Sequence, residues 1–300
     1  MSALAAELAA LSIIDVERLQ PFYPSVRDRD DISVLRDPVT DVIVLSSSEH
    51  MSLDYYESKP ESQRHAVRGR IVDSPRLEDD VRRAAEFGAL LRNKRWLDFG
   101  CGLGGLLDEM QGQTVWAAGL EPNLERAAIA RAKGHAIIGA LAELQDARLD
   151  IVSLFHVLEH LTSPLETLSR VRDTLQPGGS VLIEVPHARD ALFTLYDCEP
   201  FKRFTFWSEH LVLHTRQSLK LLLEGAGFEQ VEITAKQRYP VANHLHWLAK
   251  QRPGGHEAWA FLNSPALHAG YEAALATIDR TDTLIAFARA PAQTQEPVIR

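Results

Sequence analysis

Cysteine is scarce: the 300 residues hold two, Cys101 and Cys198. Cys101 stands inside a glycine-rich stretch, so the pair does not read as a structural disulfide, and a reducing, cytoplasmic setting is expected. Long hydrophobic runs are missing as well. None approaches the roughly 20 apolar residues of a membrane helix, so no membrane span is expected. The opening "MSALAAELAALSIIDVERLQ" lacks a basic n-region and carries Glu7, Asp15 and Glu17. It reads as an amphipathic helix rather than a signal peptide. Basic surplus is also absent. Lys and Arg number 32 against 41 Asp and Glu, for a formal net charge of −9. A nucleic-acid binder usually carries a basic face, so no nucleic-acid partner is expected. What remains is an ordinary globular composition, 45% hydrophobic and 24% charged, long enough for one large α/β domain with appendages.

Residues 1–75 read as an irregular cap or lid region. Within it, "ISVLRDPVTDVIVLSSS" suggests two short strands joined at Asp37-Pro38. "LEDDVRRAAEFGALLR" (77–92) has helical spacing at Val81, Ala84, Ala85, Ala89 and Leu90. Strands and helices then alternate. "RWLDFG", "TVWAAGLE", "HAIIGA", "LDIVSLF" and "SVLIEVP" read as strands. Between the last two, the helix "PLETLSRVRDTLQ" should stop at Pro177-Gly178-Gly179. "TRQSLKLLLEGAG" reads as a helix with Thr215 as N-cap and Gly227 as its terminal glycine. "EQVEITAK" and "DTLIAFAR" complete seven strands. Such alternation predicts a parallel sheet with helices on both faces. The core is expected over 76–237 and 282–291, interrupted by an insertion at 238–281.

"RWLDFGCGLGG" runs from a strand into a turn whose Gly100, Gly102 and Gly105 fit G-x-G-x-x-G. Glycines let the backbone approach a ligand closely, but this pattern alone does not choose the ligand. Asp98 sits two residues before Gly100. A carboxylate there would repel a pyrophosphate, whereas it could serve an ammonium group, directly or through water. Glu121, ending the second strand in "GLEPN", can accept both ribose hydroxyls of an adenosine.

"LDFGCGLGG", "GLEPN", "DIVSLFHVLEHL", "LQPGGSVLIEVP" and "LLEGAGF" resemble, in order and spacing, the motifs of class I S-adenosylmethionine-dependent methyltransferases. The resemblance covers about residues 77–236 and the last strand. It implies an α/β, Rossmann-like, doubly wound sheet of seven strands, the last antiparallel and inserted between the two before it. It also implies S-adenosyl-L-methionine as cofactor. Asp98, Gly100 and Gly102 resemble the positions that hold its methionine end, and Glu121 the ribose ligand. Leu141 falls near the adenine position. Phe155 and His156 sit where the methyl and ribose region is lined.

"FWSEHLVLHTRQSLKLLLEGAGF" resembles the matching part of bacterial sugar methyltransferases that act on nucleotide-linked or surface sugars. The resemblance implies a catalytic base at Glu209 or His210. It makes Tyr55 and Tyr56, in "SLDYYESK", aromatic residues that close over the same pocket. His187, in "EVPHARD", is a further candidate base, because a hydroxyl or carbon acceptor must lose a proton. His214 reads as structural. Related sugar enzymes often begin with a cysteine-ligated zinc module. The strand-turn-strand segment here has no cysteine, so a thiolate zinc site cannot form.

His156, Glu159 and His160 have i, i+3, i+4 spacing, which would gather them on one helical face. Some quinone-pathway methyltransferases hold a divalent metal around this segment through acidic residues and a histidine. His156 stands where one acid would, so no metal is assigned and Glu159 and His160 are read as fixing the loop. In the insertion, His244 and Trp247 are the named candidates for acceptor contacts, since aromatic faces with polar edges suit sugars or nucleotides. The alternative for that segment is a homodimer contact or an extra helical layer.

The reading is therefore methyl transfer to a small polar acceptor, best a nucleotide-linked sugar or surface-polysaccharide precursor. Quinone or natural-product intermediates stand behind it. A non-catalytic S-adenosylmethionine-binding regulator is the rival of another class. An NAD-dependent oxidoreductase or epimerase is disfavoured by Asp98.

Overall fold

The computed structural model describes residues 2–58, 78–144 and 148–292. In chain order, α1 (Ala3–Ala10) leads to β1 (Gln20–Tyr23), β2 (Val34–Arg36) and β3 (Ile43–Leu45), then α2 (Leu53–Ser58). The core follows as α3 (Glu78–Leu91), β4 (Arg95–Phe99), α4 (Gly105–Glu109), β5 (Trp116–Leu120), α5 (Leu124–Ala132), β6 (Ile137–Ile138) and β7 (Leu149–Phe155). It continues through α6 (Pro164–Thr174), β8 (Leu175–Pro186), α7 (Ala191–Thr194), α8 (Glu199–Thr205), β9 (Val212–Leu213), α9 (Arg216–Gly225) and β10 (Glu229–Lys236). The insertion supplies α10 (Val241–Lys250), α11 (Gly255–Ala258) and α12 (Pro265–Thr277), and β11 (Thr283–Arg289) closes the sheet.

The main sheet runs β10-β11-β8-β7-β4-β5-β6. β4, β5, β6, β7 and β8 pair in parallel, while β11 is antiparallel to both neighbours. The last strand thus inserts between the two before it, as expected. Side-chain alternation divides the core into two layers. Leu97, Val152, Leu154, Val181, Ile183 and Val185 face the larger cluster. Trp96, Ile151, Phe155 and Leu182 face the other, beneath Phe87 and Leu91 of α3 and Leu106 and Leu107 of α4. Asp98, Ser153 and Glu184 fall on that second face by the same alternation, and register sets Asp98 beside Ser153 and Phe155 beside Glu184.

Two local expectations need correction. α6 ends at Thr174, and Pro177-Gly178-Gly179 belong to β8 instead of terminating the helix. The buried face of α3 is Arg83, Phe87, Gly88 and Leu91, whereas Leu90 is 44% exposed. Spacing of apolar residues misplaced the face because a charged residue, Arg83, turns inward. It donates to Glu184 Oε1 from Nη2 (2.7 Å), and its guanidinium lies over the Phe155 ring. The capping of α9 is as expected: Thr215 Oγ1 accepts from Ser218 N (3.3 Å), and Gly227 follows with φ +83°.

The strand-turn-strand of the N-terminal segment is present and belongs to a larger antiparallel sheet, β1-β2-β3-β9. Asp37 at its turn is fully buried and accepts from Arg18 Nη2 (2.7 Å). Pairing of β3 with β9 joins this segment to the chain that follows β8. That junction brings the surroundings of Tyr55 to those of Glu209.

Candidate active site

The site lies at the carboxyl ends of β4, β5, β7 and β8, where ligands of open α/β sheets bind. Its first half is built from backbone. β4 ends at Phe99, and the chain turns through Gly100 (φ +79°) and Gly102 (φ +56°) into α4. A Cβ at Gly100 would come within 2.4 Å of Val157 Cγ2, so only glycine fits. A Cβ at Gly102 would meet nothing within 4 Å, which leaves this face of the turn open. Glu121, at the end of β5, is 5% exposed. Its two oxygens accept from the N–H groups of Gly102 and Asn123, each at 2.9 Å. The carboxylate is thereby fixed against the backbone of the turn.

Asp98 is buried at the end of β4. Ser153 Oγ donates to its Oδ1 (2.7 Å), and Trp96 Nε1 donates to Ser153 Oγ (2.8 Å). Burial pushes the Asp98 carboxyl up to about 7, against the opposing effect of the Ser153 hydroxyl. A cation placed beside it would favour the ionised form. Leu141 opens a short 3₁₀ turn, Leu141–Glu143, and is half-buried against the core. Phe155 stacks on Phe87 with centroids 5.7 Å apart. His156 has φ +55° and is held on two sides, with Nδ1 2.9 Å from Glu159 Oε1 and Nε2 3.3 Å from Glu184 Oε1. Arg238, from the start of the insertion, also reaches His156.

The second half gathers three distant segments. Tyr55 on α2 donates its hydroxyl to Glu209 Oε1 (3.0 Å). Glu209 is fully buried, and its carbonyl lies 2.8 Å from His160 Nδ1. The His160 and His210 rings are 5.0 Å apart, and Tyr56 meets His160 edge-on at 6.3 Å. The Glu159 carbonyl accepts from Leu211 N (2.8 Å), tying this turn to the end of β7. Burial, helped by His160, holds the His210 pKa well below the usual imidazole value, so its ring is neutral. Burial works against a charged Glu159, yet the hydrogen bond from His156 and the nearby His160 and His210 hold its carboxyl down at about 2. The two halves are stitched together by α2: Asn123 Nδ2 donates to the Tyr56 carbonyl (2.8 Å).

Tyr55, Tyr56, Glu209 and His210, scattered in sequence, therefore meet in one cluster. The other candidates are engaged elsewhere. His187 is fully buried, with Nδ1 3.0 Å from the Thr281 carbonyl, and burial lowers its pKa to about 4. His244 accepts from Gln237 Nε2 at 3.2 Å, and its Nδ1 lies 2.7 Å from the Tyr271 hydroxyl. Trp247 packs with Leu192 and Cys198, its ring 5.3 Å from that of Phe201. None of these partners belongs to the Tyr55–Glu209–His210 group. The 156–160 segment forms a 3₁₀ turn over Leu158–His160, not the α-helix that would gather its three polar residues.

Sequence reading missed Ser153, Glu184 and Arg83. The first two carried a usable signal, a polar residue interrupting a strand buried on both faces. Glu184 is fully buried and takes both Arg82 Nη2 (2.7 Å) and Arg83 Nη2 (2.7 Å), so α3 is clamped across the ends of β7 and β8. Arg83 gave no such signal, since a charged residue in a helix usually faces solvent.

Comparison with known proteins agrees with this fold. A family model described as "Methyltransferase domain" matches residues 69–233, over half of the chain. The ubiquinone biosynthesis O-methyltransferase of Burkholderia ambifaria is 33% identical over 171 residues, covering 52% of this chain and 74% of that protein. The protein of the same name from Dinoroseobacter shibae is 31% identical over 187 residues, covering 54% and 73%. A solved S-adenosylmethionine-dependent methyltransferase from Archaeoglobus fulgidus superposes with TM-score 0.51 at 20% identity, covering 72% of this chain and 95% of that one. The chain belongs to the S-adenosylmethionine-dependent methyltransferase family. The residues present fit that cofactor. The open side of Gly102 leaves room for it, Glu121 can take ribose hydroxyls, and buried Asp98 can take an ammonium. Among the described residues, no helix is long and apolar enough to cross a membrane.

Proposed function

We propose that the protein transfers a methyl group from S-adenosylmethionine to a hydroxyl of a small polar acceptor, with Glu209 as the base. The observation that carries this reading is the Tyr55–Glu209–His160–His210 cluster, joined through Asn123 to the cofactor side. The cofactor supplies an electrophilic methyl on a sulfonium. The residues of this chain do the rest. Asp98, Gly102 and Glu121 orient the cofactor, with the ring of Phe155 and the backbone of His156 lining the methyl end and Leu141 beside the adenine. Tyr55 holds the Glu209 carboxylate in one orientation, so that it can take the acceptor's proton as the methyl arrives. Neutral His210 is the second base within the same cluster. α2 with Tyr55 and Tyr56 covers the site and limits water. Positioning of this kind is where methyl transfer gains most of its rate.

For the acceptor, a nucleotide-linked sugar or surface-polysaccharide precursor follows from the resemblance of the segment around Glu209. The names of the 31–33% identical relatives favour a second reading, a ring hydroxyl of a quinone-type intermediate. Radiolabelled S-adenosylmethionine with a panel of nucleotide sugars and a panel of dihydroxyarenes separates the two. Label appearing in one panel, and lost in Glu209→Gln, supports that acceptor class. Turnover unchanged in Glu209→Gln would sink the assignment of the base.

A further inference from the structure

We infer that Arg27 is a specificity residue, which binds an oxyanion (a phosphate or a carboxylate) carried by the acceptor. The inference rests on the proposed placement of the acceptor at the Tyr55–Glu209–His210 cluster.

Arg27 lies in the loop between β1 and β2, within "VRDRD" (26–30). Its backbone N–H donates to the Phe206 carbonyl (2.9 Å), which pins the loop to the chain just before Glu209. Asp28 strengthens that tie: its two oxygens accept from Ser208 N (2.9 Å) and Ser208 Oγ (2.7 Å). The acid next to Arg27 is thus engaged elsewhere. Arg29 is paired with Asp31, its Nη2 donating to Oδ2 at 2.6 Å.

Arg27 is held differently. Its guanidinium lies over the Trp207 ring, 4.7 Å from the centroid, and over the Phe204 ring at 5.5 Å. Nη1 donates to the Phe204 carbonyl (2.8 Å). The other N–H groups of this exposed side chain meet no acceptor among the described residues. An arginine held by rings and a carbonyl keeps its charge uncompensated and an edge of donors open. Contact with two rings restrains the long side chain, so less freedom is lost when an anion docks. The planar fork matches the oxygens of a carboxylate or phosphate.

Trp207 connects this fork to the acceptor cluster. Its ring stands edge-on to those of His210 and His160, at 5.3 Å and 6.2 Å. Burial and His160 keep His210 neutral, and the positive charge of Arg27 acts on it in the same direction. An acceptor whose hydroxyl meets Glu209 therefore has an aromatic surface beside it and a cation at the rim. The chain as a whole carries a net charge of −9, so a local cation is what draws an anionic acceptor in.

The test uses the full-length protein saturated with S-adenosylhomocysteine and follows the Trp207 indole N–H resonance, assigned with Trp207→Phe. Uridine diphosphate glucose presents phosphate and a dihydroxybenzoate presents carboxylate. Glucose and catechol are their uncharged counterparts. At least one anionic probe should shift the resonance saturably. Arg27→Gln should weaken that binding by at least about tenfold, as loss of a charge-assisted hydrogen bond implies, with Arg27→Lys between the two. The probe that behaves so names the source of the oxyanion. Arg289→Gln, at the far end of β11, should bind as the wild type does. Calorimetry with S-adenosylhomocysteine reports that each variant is folded. Anionic probes that bind no better than the uncharged ones, or that bind Arg27→Gln as they bind the wild type, would overturn the inference. Its failure is distinct from that of the acceptor reading, which turnover in Glu209→Gln tests without reference to Arg27.

Discussion

The two halves of the site are built by different means. The half proposed to hold the cofactor is local. Asp98, Gly100 and Gly102 lie within five residues of one another, and Glu121 is placed by the neighbouring strand and oriented by two backbone N–H groups. The half proposed to face the acceptor is assembled by tertiary contacts. Tyr55, Glu159 with His160, and Glu209 with His210 come from three separated segments, joined because β9 pairs with β3 and Leu211 bonds to Glu159. A half made by backbone geometry should tolerate changes in the acceptor half, and the reverse should hold too.

The comparison can be broken most sharply by chemistry. Glu209→Gln should lower kcat by about a thousandfold, within the range for loss of a general base. A fall of less than about fivefold in steady-state assays would remove Glu209 from the chemistry. Next in size, Asp98→Ala should weaken S-adenosylhomocysteine by about a hundredfold, since it deletes a buried charged partner of the ligand ammonium. Calorimetry showing wild-type affinity would refute that role. Tyr55→Phe should cost about tenfold in kcat through loss of one hydrogen bond to a carboxylate, with little change in cofactor affinity. An equal loss in both would mean that Tyr55 holds the whole site together.

The smallest effect concerns stability. The folded Asp98 carboxyl has a pKa of about 7, raised above its unfolded value. Its contribution to stability is full at acid pH and is lost as the pH rises through about 7. Asp98→Asn mimics the protonated acid. It should therefore raise the melting temperature of the cofactor-free protein by about a few degrees at pH 8, with the gap shrinking toward pH 5. A constant gap across that range, measured by scanning calorimetry, would contradict the buried-carboxyl account.

This division also explains what could be read from the chain. The strands, the glycine turn and Glu121 were legible because apolar runs and turn residues act locally. The antiparallel last strand, set between the two before it, followed from the resemblance of several motifs in series. The face of α3 was misread because Arg83 is drawn inward by Glu184, a partner about a hundred residues away that periodicity cannot see. β1 and β9 are short edge strands whose pairing is decided by what they dock against. His244 and Trp247 looked like a recognition surface because aromatic and polar residues are shared by binding pockets and by small cores. In the fold they pack with Gln237, Tyr271, Leu192 and Cys198.

The most direct measurement is calorimetric titration of S-adenosylhomocysteine into Glu209→Gln beside the wild type. If the two halves are separate, the affinities agree within about twofold, and the loss in this variant is confined to turnover. If Glu209→Gln weakens the cofactor as strongly as Asp98→Ala does, the acceptor cluster is part of the cofactor site and the assignment of Glu209 as base fails.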